Sequence, residues 1–382
     1  MIGHVQHGSQ STSSAKSDFV NELLTIGELY SPLREEKWIS MVNRGLAAFA
    51  KAHWNTFLRR TNRGIPQKYR WASWKVAVKF NQCFATLAPQ YETFASQNNE
   101  YTSIIQIDVP RTFPELKIFD VEAQQQLSRI LLAYANYHPE VGYCQGMNFV
   151  AGMLLLVSGF NETESWVGFV GLMKEFGLAE FYKPSFPLIQ KYIRAFEALA
   201  AEMWPDLHQH FQREEISVAV FLNQWFLTMF VIILPLRTVV TLWDYILFNG
   251  LSSVLAVSLG LQYLLAPQMK QLNFEAIMTF SKNIKDTDSK DDIRVGRIIV
   301  NQAYRITHSR GSLDELILQQ EALSTPRRAS LGRIVSREEP VATVNSGARR
   351  SRVNPLAAVV SQLGLMDSPN DDTDPSYPWH VK

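Results

Sequence analysis

Asp120-Val-Glu-Ala-Gln-Gln-Gln-Leu-Ser-Arg-Ile-Leu-Leu-Ala-Tyr-Ala-Asn-Tyr-His138 is the stretch that decides the fold class. Leu127, Ile130, Leu131, Tyr134 and Tyr137 recur at steps of three and four, the period that lines one face of an α-helix. The run stops at His138-Pro139, because the residue before a proline is pushed out of helical geometry. Outward from this run, helix starts are readable. Asn161 precedes Glu164, and Ser312 precedes Glu315, at the spacing of a capping box. Asn249-Gly250 has the composition of a hairpin turn. It follows the aromatic run containing Trp243, Tyr245 and Phe248 and precedes another helical pattern, so it reads as a helix C-terminus with Gly250 left-handed. No strand alternation competes and no repeat of 20 to 50 residues appears, so the expected class is all-α and not a solenoid.

The chain has 382 residues, 46% hydrophobic and 12% aromatic, enough apolar surface for a large core. Lys and Arg total 37 against 36 Asp and Glu, which gives no overall field for nucleic acid or anionic membrane. Cys83 and Cys144 alone build neither a disulfide framework nor a structural zinc site, so a reducing compartment is expected. The start, with Ser9, Ser11, Ser13 and Ser14 before Lys16, lacks the apolar run of a signal peptide. Residues 1–33 read as an N-terminal segment that is disordered at its start, residues 34–323 as one domain, and residues 324–382 as a disordered tail. Within that tail, Arg327-Arg328-Ala329-Ser330 suits a basic-directed kinase and marks Ser330 as a candidate phosphorylation site.

Ile216 to Leu236 holds 21 residues without a formal charge, about a bilayer's span. Asn223 and Gln224 inside it, and Pro235 near its end, are costly against lipid. The segment is therefore expected to be a buried core helix.

Several chemistries are absent from the pattern: there is no phosphate-cradling loop ending in Lys-Ser or Lys-Thr, no His-Glu-x-x-His, no Gly-x-Ser-x-Gly and no Cys-x-x-Cys. Asp286, Asp288, Asp291 and Asp292 do not match a calcium loop, since Lys290 and Asp291 stand where a ligand and a glycine belong. His208 and His210, two residues apart on a helix, point in different directions and make a poor metal pair. No metal site is expected.

Four stretches remain. Arg63-Gly64-Ile65-Pro66 opens a helix on which Arg70 and Trp74 share a face. Ile105-x-x-Asp108-x-x-Arg111-Thr112-Phe113-Pro114 holds Arg111 on a loop stiffened by Pro110 and Pro114, with Val109 expected to leave helical geometry. Such an arginine suits phosphoryl transfer, where catalysis is positioning and charge stabilisation. Gly142-Tyr143-Cys144-Gln145-Gly146-Met147-Asn148 turns tightly around Gln145, whose amide both donates and accepts, as a water-positioning group must. Phe221-Leu222-Asn223-Gln224-Trp225-Phe226-Leu227-Thr228 and Trp243-Asp244-Tyr245 read as core, with Trp225 and Trp243 structural and Asp244 a buried acceptor for a neighbouring helix end.

In this order the stretches resemble the TBC family of Rab GTPase-activating proteins. The resemblance begins near Arg34-Glu35-Glu36-Lys37-Trp38, is densest from Arg63 to Gly250, and fades before Ser324. It implies a two-lobed, wholly helical domain, with Arg111 at the position of the family's arginine finger and Gln145 at that of its glutamine finger. Asp108, Arg70 and Tyr143 match positions that hold those loops, and Trp74 a core position. Asn223-Gln224 ahead of Trp225, and Trp71 after Arg70, depart from the family pattern. The implied function is activation of a Rab-family GTPase in membrane traffic by a cytoplasmic protein. GTP and Mg²⁺ would be carried by the partner, so that the chain itself needs no cofactor and is an activator rather than an enzyme in its own right. The competing reading is a non-catalytic Rab-binding adaptor.

Overall fold

A computed structural model describes residues 32–282 and 292–322, together with Lys16, Asp18, Val20, Leu23, Leu24, Ile284 and Lys285. Ser330, the tail, the first residues, and Asp286, Asp288 and Asp291 lie outside the described residues. Every regular element among the described residues is helical.

Helices Pro32–Asn43, Leu46–Ala52, Trp54–Asn62 and Gln67–Ala77 come first, then Phe80–Leu87, Tyr91–Ala95 and Thr102–Asp108. One packing group forms around Val121–Tyr137, which lies against Tyr91–Ala95, Met147–Val157 and Glu162–Lys174. The helix starts where Asp120 Oδ1 accepts from the Ala123 N–H at 3.0 Å, and it ends at His138. Leu127, Ile130, Leu131 and Tyr134 are buried as the periodicity requires. Ala133 and Ala135 are buried too, because neighbours cover more than one face.

The second group comprises Pro187–Met203, Pro205–Arg213, Ala219–Leu227, Leu236–Asn249, Ser253–Met269, Phe274–Lys282, Asp292–Arg310 and Leu313–Ala322. Ser253–Met269 is apolar all round and packs against several of these helices, which is the condition for a fully buried helix. At Gly260 the neighbouring helix comes so near that an added Cβ would lie 2.6 Å from the Ile299 carbonyl oxygen.

A buried carboxylate joins the first helices to this group. Asp244, on Leu236–Asn249, accepts from the Ile65 N–H at 2.8 Å, the Trp74 indole at 2.9 Å and the Arg70 Nε at 3.1 Å. Burial pushes the Asp244 carboxyl up, and the Arg70 guanidinium and the two N–H donors oppose that rise. The expectation for Arg70 needs correction here. Its partners are Asp244, Gln67 and the Ile65 and Leu24 carbonyls, none of them in the loops carrying Arg111 and Gln145.

Asn161 caps the Glu162–Lys174 helix by accepting from the Glu164 N–H at 3.0 Å, and Ser312 Oγ accepts from the Glu315 N–H at 3.3 Å. The first is half a capping box, since the Glu164 carboxylate turns to the Trp71 indole at 2.6 Å instead of back to Asn161. Gly250 ends its helix at φ 84° as a glycine allows, although its ψ of 171° is extended rather than left-handed helical.

Ile216–Leu236 does not form the single core helix expected from its composition. Helix occupies Ala219–Leu227 and resumes only at Leu236, and between them Met229 (φ 48°) and Phe230 (φ 67°) turn the chain through left-handed conformations. Thr228 Oγ1 bonds back to the Gln224 carbonyl at 2.8 Å, and the Trp243 indole donates to the Met229 carbonyl at 3.0 Å. Left-handed backbone costs on the order of 1–3 kcal/mol per residue, an amount offset by full burial of two large side chains at about 1.5–3 kcal/mol each. Among the described residues no helix is long and apolar enough to cross a membrane.

Candidate functional site

Arg111 ends a single 3-10 turn, Val109–Arg111, that continues directly from the Thr102–Asp108 helix. Pro110 does not push Val109 out of the helix, contrary to its usual effect on a preceding residue. Val109 keeps φ −59° and ψ −46°, and Pro110 sits at the start of the 3-10 turn, where a missing N–H costs nothing. The break comes at Thr112, which is extended, and at Phe113, which is left-handed at φ 51°.

Phe113 anchors this bend. Its ring is buried, lies edge-on to Phe119 with centroids 5.4 Å apart, and fills the notch above Gly152, where an added Cβ would lie 2.9 Å from it. Glu115, two residues on, pairs with Lys285 at 2.6 Å.

Gln145 is carried by the turn between Val121–Tyr137 and Met147–Val157. Gly142 (φ 62°) and Gly146 (φ 108°) give the turn its shape. Both are also closely packed. A Cβ would lie 2.3 Å from the Tyr101 ring at Gly142, and 2.7 Å from the Leu227 carbonyl oxygen at Gly146.

Arg111 and Gln145 are exposed, and neither side chain makes a hydrogen bond or ion pair among the described residues. Beneath them the polar groups are satisfied. The Tyr143 hydroxyl donates to Asp108 Oδ2 at 2.7 Å. Asn148 Oδ1 accepts from the Gly146 N–H at 3.1 Å, and its Nδ2 donates to Thr112 Oγ1 at 2.8 Å. Thr112 in turn donates to the Asp108 carbonyl at 3.0 Å. Asp108, Thr112, Tyr143 and Asn148 are all buried, so this network sits in a low-dielectric environment and strongly restrains the two loops it joins.

The network adds Asn148 and Thr112 to the supports expected from sequence, and it brings Asp108 and Tyr143 together. Asn148 carried a readable signal, as the one polar side chain in the otherwise apolar helix Met147–Val157. Burial and the Asp108 acceptor push the Tyr143 hydroxyl far up, and burial raises the Cys144 thiol to about 11. Neither ionises near neutral pH, so the loop offers no thiolate nucleophile.

Trp74, Trp225, Trp243 and Asp244 are fully buried. His210 bonds the Leu272 carbonyl at 2.8 Å and His208 bonds Gln212 at 3.0 Å, so the two rings diverge. Among the described residues no group of three or more His, Cys, Asp or Glu side chains is placed to hold a metal.

A family model described as the Rab-GTPase-TBC domain matches residues 67–270, more than half of the chain. The chain belongs to the TBC domain family. Among relatives, it is 31% identical to the Rab GTPase-activating protein eat-17 of Caenorhabditis elegans over 220 residues, covering 57% of this chain and 24% of that protein. It is 30% identical to human TBC1 domain family member 1 over 301 residues, covering 74% of this chain and 25% of the relative. The chain thus spans only about a quarter of the length of these relatives. In fold it is similar to the Chlamydomonas flagellar RabGAP TBC domain, with a TM-score of 0.62 at 19% identity, covering 79% of this chain and 97% of that one. The Ypt/Rab-GAP domain of Gyp1p gives a TM-score of 0.58 at 17% identity, covering 78% of this chain and 99% of that one. The matched TBC region contains Arg111, Gln145 and all four residues of the network beneath them.

Proposed function

We propose that this TBC domain accelerates GTP hydrolysis by a Rab-family GTPase, inserting Arg111 and Gln145 beside the nucleotide of the GTP-bound partner. The observation that carries the reading is the combination of two exposed, uncommitted side chains on loops joined by one buried network. A side chain kept only for local structure is bonded within its own surroundings, as Arg70 is to Asp244.

The chemistry follows from the two groups. The Arg111 guanidinium is a planar fork that reaches two phosphate oxygens at once and stabilises the charge that develops on them. The Gln145 amide accepts from an attacking water and donates alongside, which holds that water in line without adding charge. GTP and Mg²⁺ belong to the partner. Asp108, the nearest carboxylate in sequence to Arg111, is committed to Tyr143 and serves as loop support. An arginine finger contributes roughly 10³ to 10⁵ in rate, or about 4–7 kcal/mol of transition-state stabilisation. The protein would act from the cytoplasm at endomembranes, brought there by its membrane-anchored partner, and so regulate vesicle traffic.

Single-turnover GTP hydrolysis by a panel of GTP-loaded Rab proteins, with and without this chain, tests the proposal. Acceleration of at least one Rab, lost with Arg111, supports it. Binding without acceleration across the panel would make the chain an adaptor.

A further inference from the structure

Away from both loops lies a cavity of about 50 Å³, between Pro187–Met203, Pro205–Arg213 and the buried helix Ser253–Met269. One water needs about 10–15 Å³ on this measure, so the space suits a small polar head with a short stem. Phe196, Trp204 and Phe211 contribute aromatic walls, and no Lys or Arg lines it.

Two of its polar side chains are unspent. Gln262 is 1% exposed, and its Nε2 reaches only the Met269 sulfur, at 3.6 Å. In this orientation of the amide, Oε1 is left without a hydrogen-bond partner among the described residues. Glu197 lies half-buried on the wall formed by Pro187–Met203, and its carboxylate makes no hydrogen bond or ion pair among the described residues. His208 and Gln212, also at the cavity, bond to each other at 3.0 Å.

We propose that this cavity binds an alkylammonium group, with the Glu197 carboxylate and Gln262 Oε1 accepting its N–H bonds and the aromatic walls enclosing its stem. The Gln262 Oε1 and Glu197 acceptors call for a ligand that donates, a half-buried anion favours a cation, and aromatic faces attract cations. An ammonium, a compact charge with three rotatable donors, fits acceptors on separate helices better than a guanidinium, whose five donors are fixed in one plane. Burial pushes the Glu197 carboxyl up, and the positive charges of His208 and Arg194 oppose that rise. Such a group belongs either to a free amine or to a lysine side chain of another protein.

Ligand-observed NMR on the full chain, with n-butylammonium, n-butanol and doubly blocked lysine as probes, tests the site. n-Butylammonium is expected to bind saturably, with n-butanol at least tenfold weaker. Glu197→Gln is expected to weaken n-butylammonium about tenfold or more, since a charge-assisted hydrogen bond contributes about 1.5–3 kcal/mol. Gln262→Met, which keeps the shape, should also weaken it. Blocked lysine binding alongside n-butylammonium assigns a protein side chain, and n-butylammonium binding alone assigns a free amine. Equal binding of n-butanol and n-butylammonium, unchanged affinity in a Glu197→Gln protein with parental circular dichroism, or no binding by either ammonium probe overturns the proposal.

Discussion

The Tyr143 hydroxyl lies 2.7 Å from Asp108 Oδ2, and this one buried bond joins the turn that carries Gln145 to the turn that carries Arg111. Asn148, bridging the Gly146 N–H and the Thr112 hydroxyl, closes the same connection from below. The two exposed side chains are therefore placed by shared supports, and a change in one loop should be felt in the other.

Tyr143→Phe keeps the ring and removes the bond, leaving Asp108 with a buried carboxylate oxygen unsatisfied. The expected cost is about 1–3 kcal/mol of stability. GTPase activation should fall more than the stability loss accounts for, because both loops lose a common restraint. Chemical denaturation and single-turnover hydrolysis on the same protein check this. Undiminished activation would show that the bond does not position the loops.

Gly146→Ala places a Cβ 2.7 Å from the Leu227 carbonyl oxygen at a residue with φ 108°. Backbone cannot give way as a flexible side chain does, so activation should drop sharply. Gly177→Ala is the control, because Gly177 also has a positive φ of 88° yet an added Cβ there meets nothing within 4 Å. Comparable activity losses in the two variants would attribute the effect to backbone strain alone.

Asp244→Asn leaves the Arg70 guanidinium buried beside a neutral amide, and removing one partner of a buried pair costs about 3–5 kcal/mol. The melting temperature should fall steeply, while whatever fraction remains folded should activate at the parental rate per folded molecule. A folded but inactive variant would return Arg70 to a role in supporting the loops that carry Arg111 and Gln145.

How far the sequence revealed these features depends on how local their cause is. The helix over Val121–Tyr137 and the Asn161 cap were legible, because spacing and capping act within a few residues. The Arg70–Asp244 pair, 174 residues apart, was not, and Arg70 was therefore attributed to the wrong neighbourhood. The break at Met229 and Phe230 was equally hidden, since neither residue favours a left-handed backbone and the turn is held by burial and by the distant Trp243 indole. Arg111 and Gln145 stood out through their loops' prolines and glycines, whereas their connection through Asn148 and Thr112 needed the fold.

Arg111→Lys keeps the charge and loses the planar fork, so activation should disappear with little change in thermal unfolding, Arg111 having no partner to lose among the described residues. Retention of more than about a tenth of the parental rate, against the 10³ or more expected of a finger, would make Arg111 a bystander.

A Gln145 that positions the attacking water from this chain would make the Rab's own switch glutamine partly redundant. Single-turnover GTP hydrolysis by a Rab with that glutamine replaced by Ala, measured with parental protein and with Gln145→Ala, tests it most directly. The parental protein should still accelerate the altered Rab, and Gln145→Ala should lose most activity on the unaltered one. An altered Rab wholly refractory to the parental protein, or a Gln145→Ala variant as fast as its parent, would contradict it.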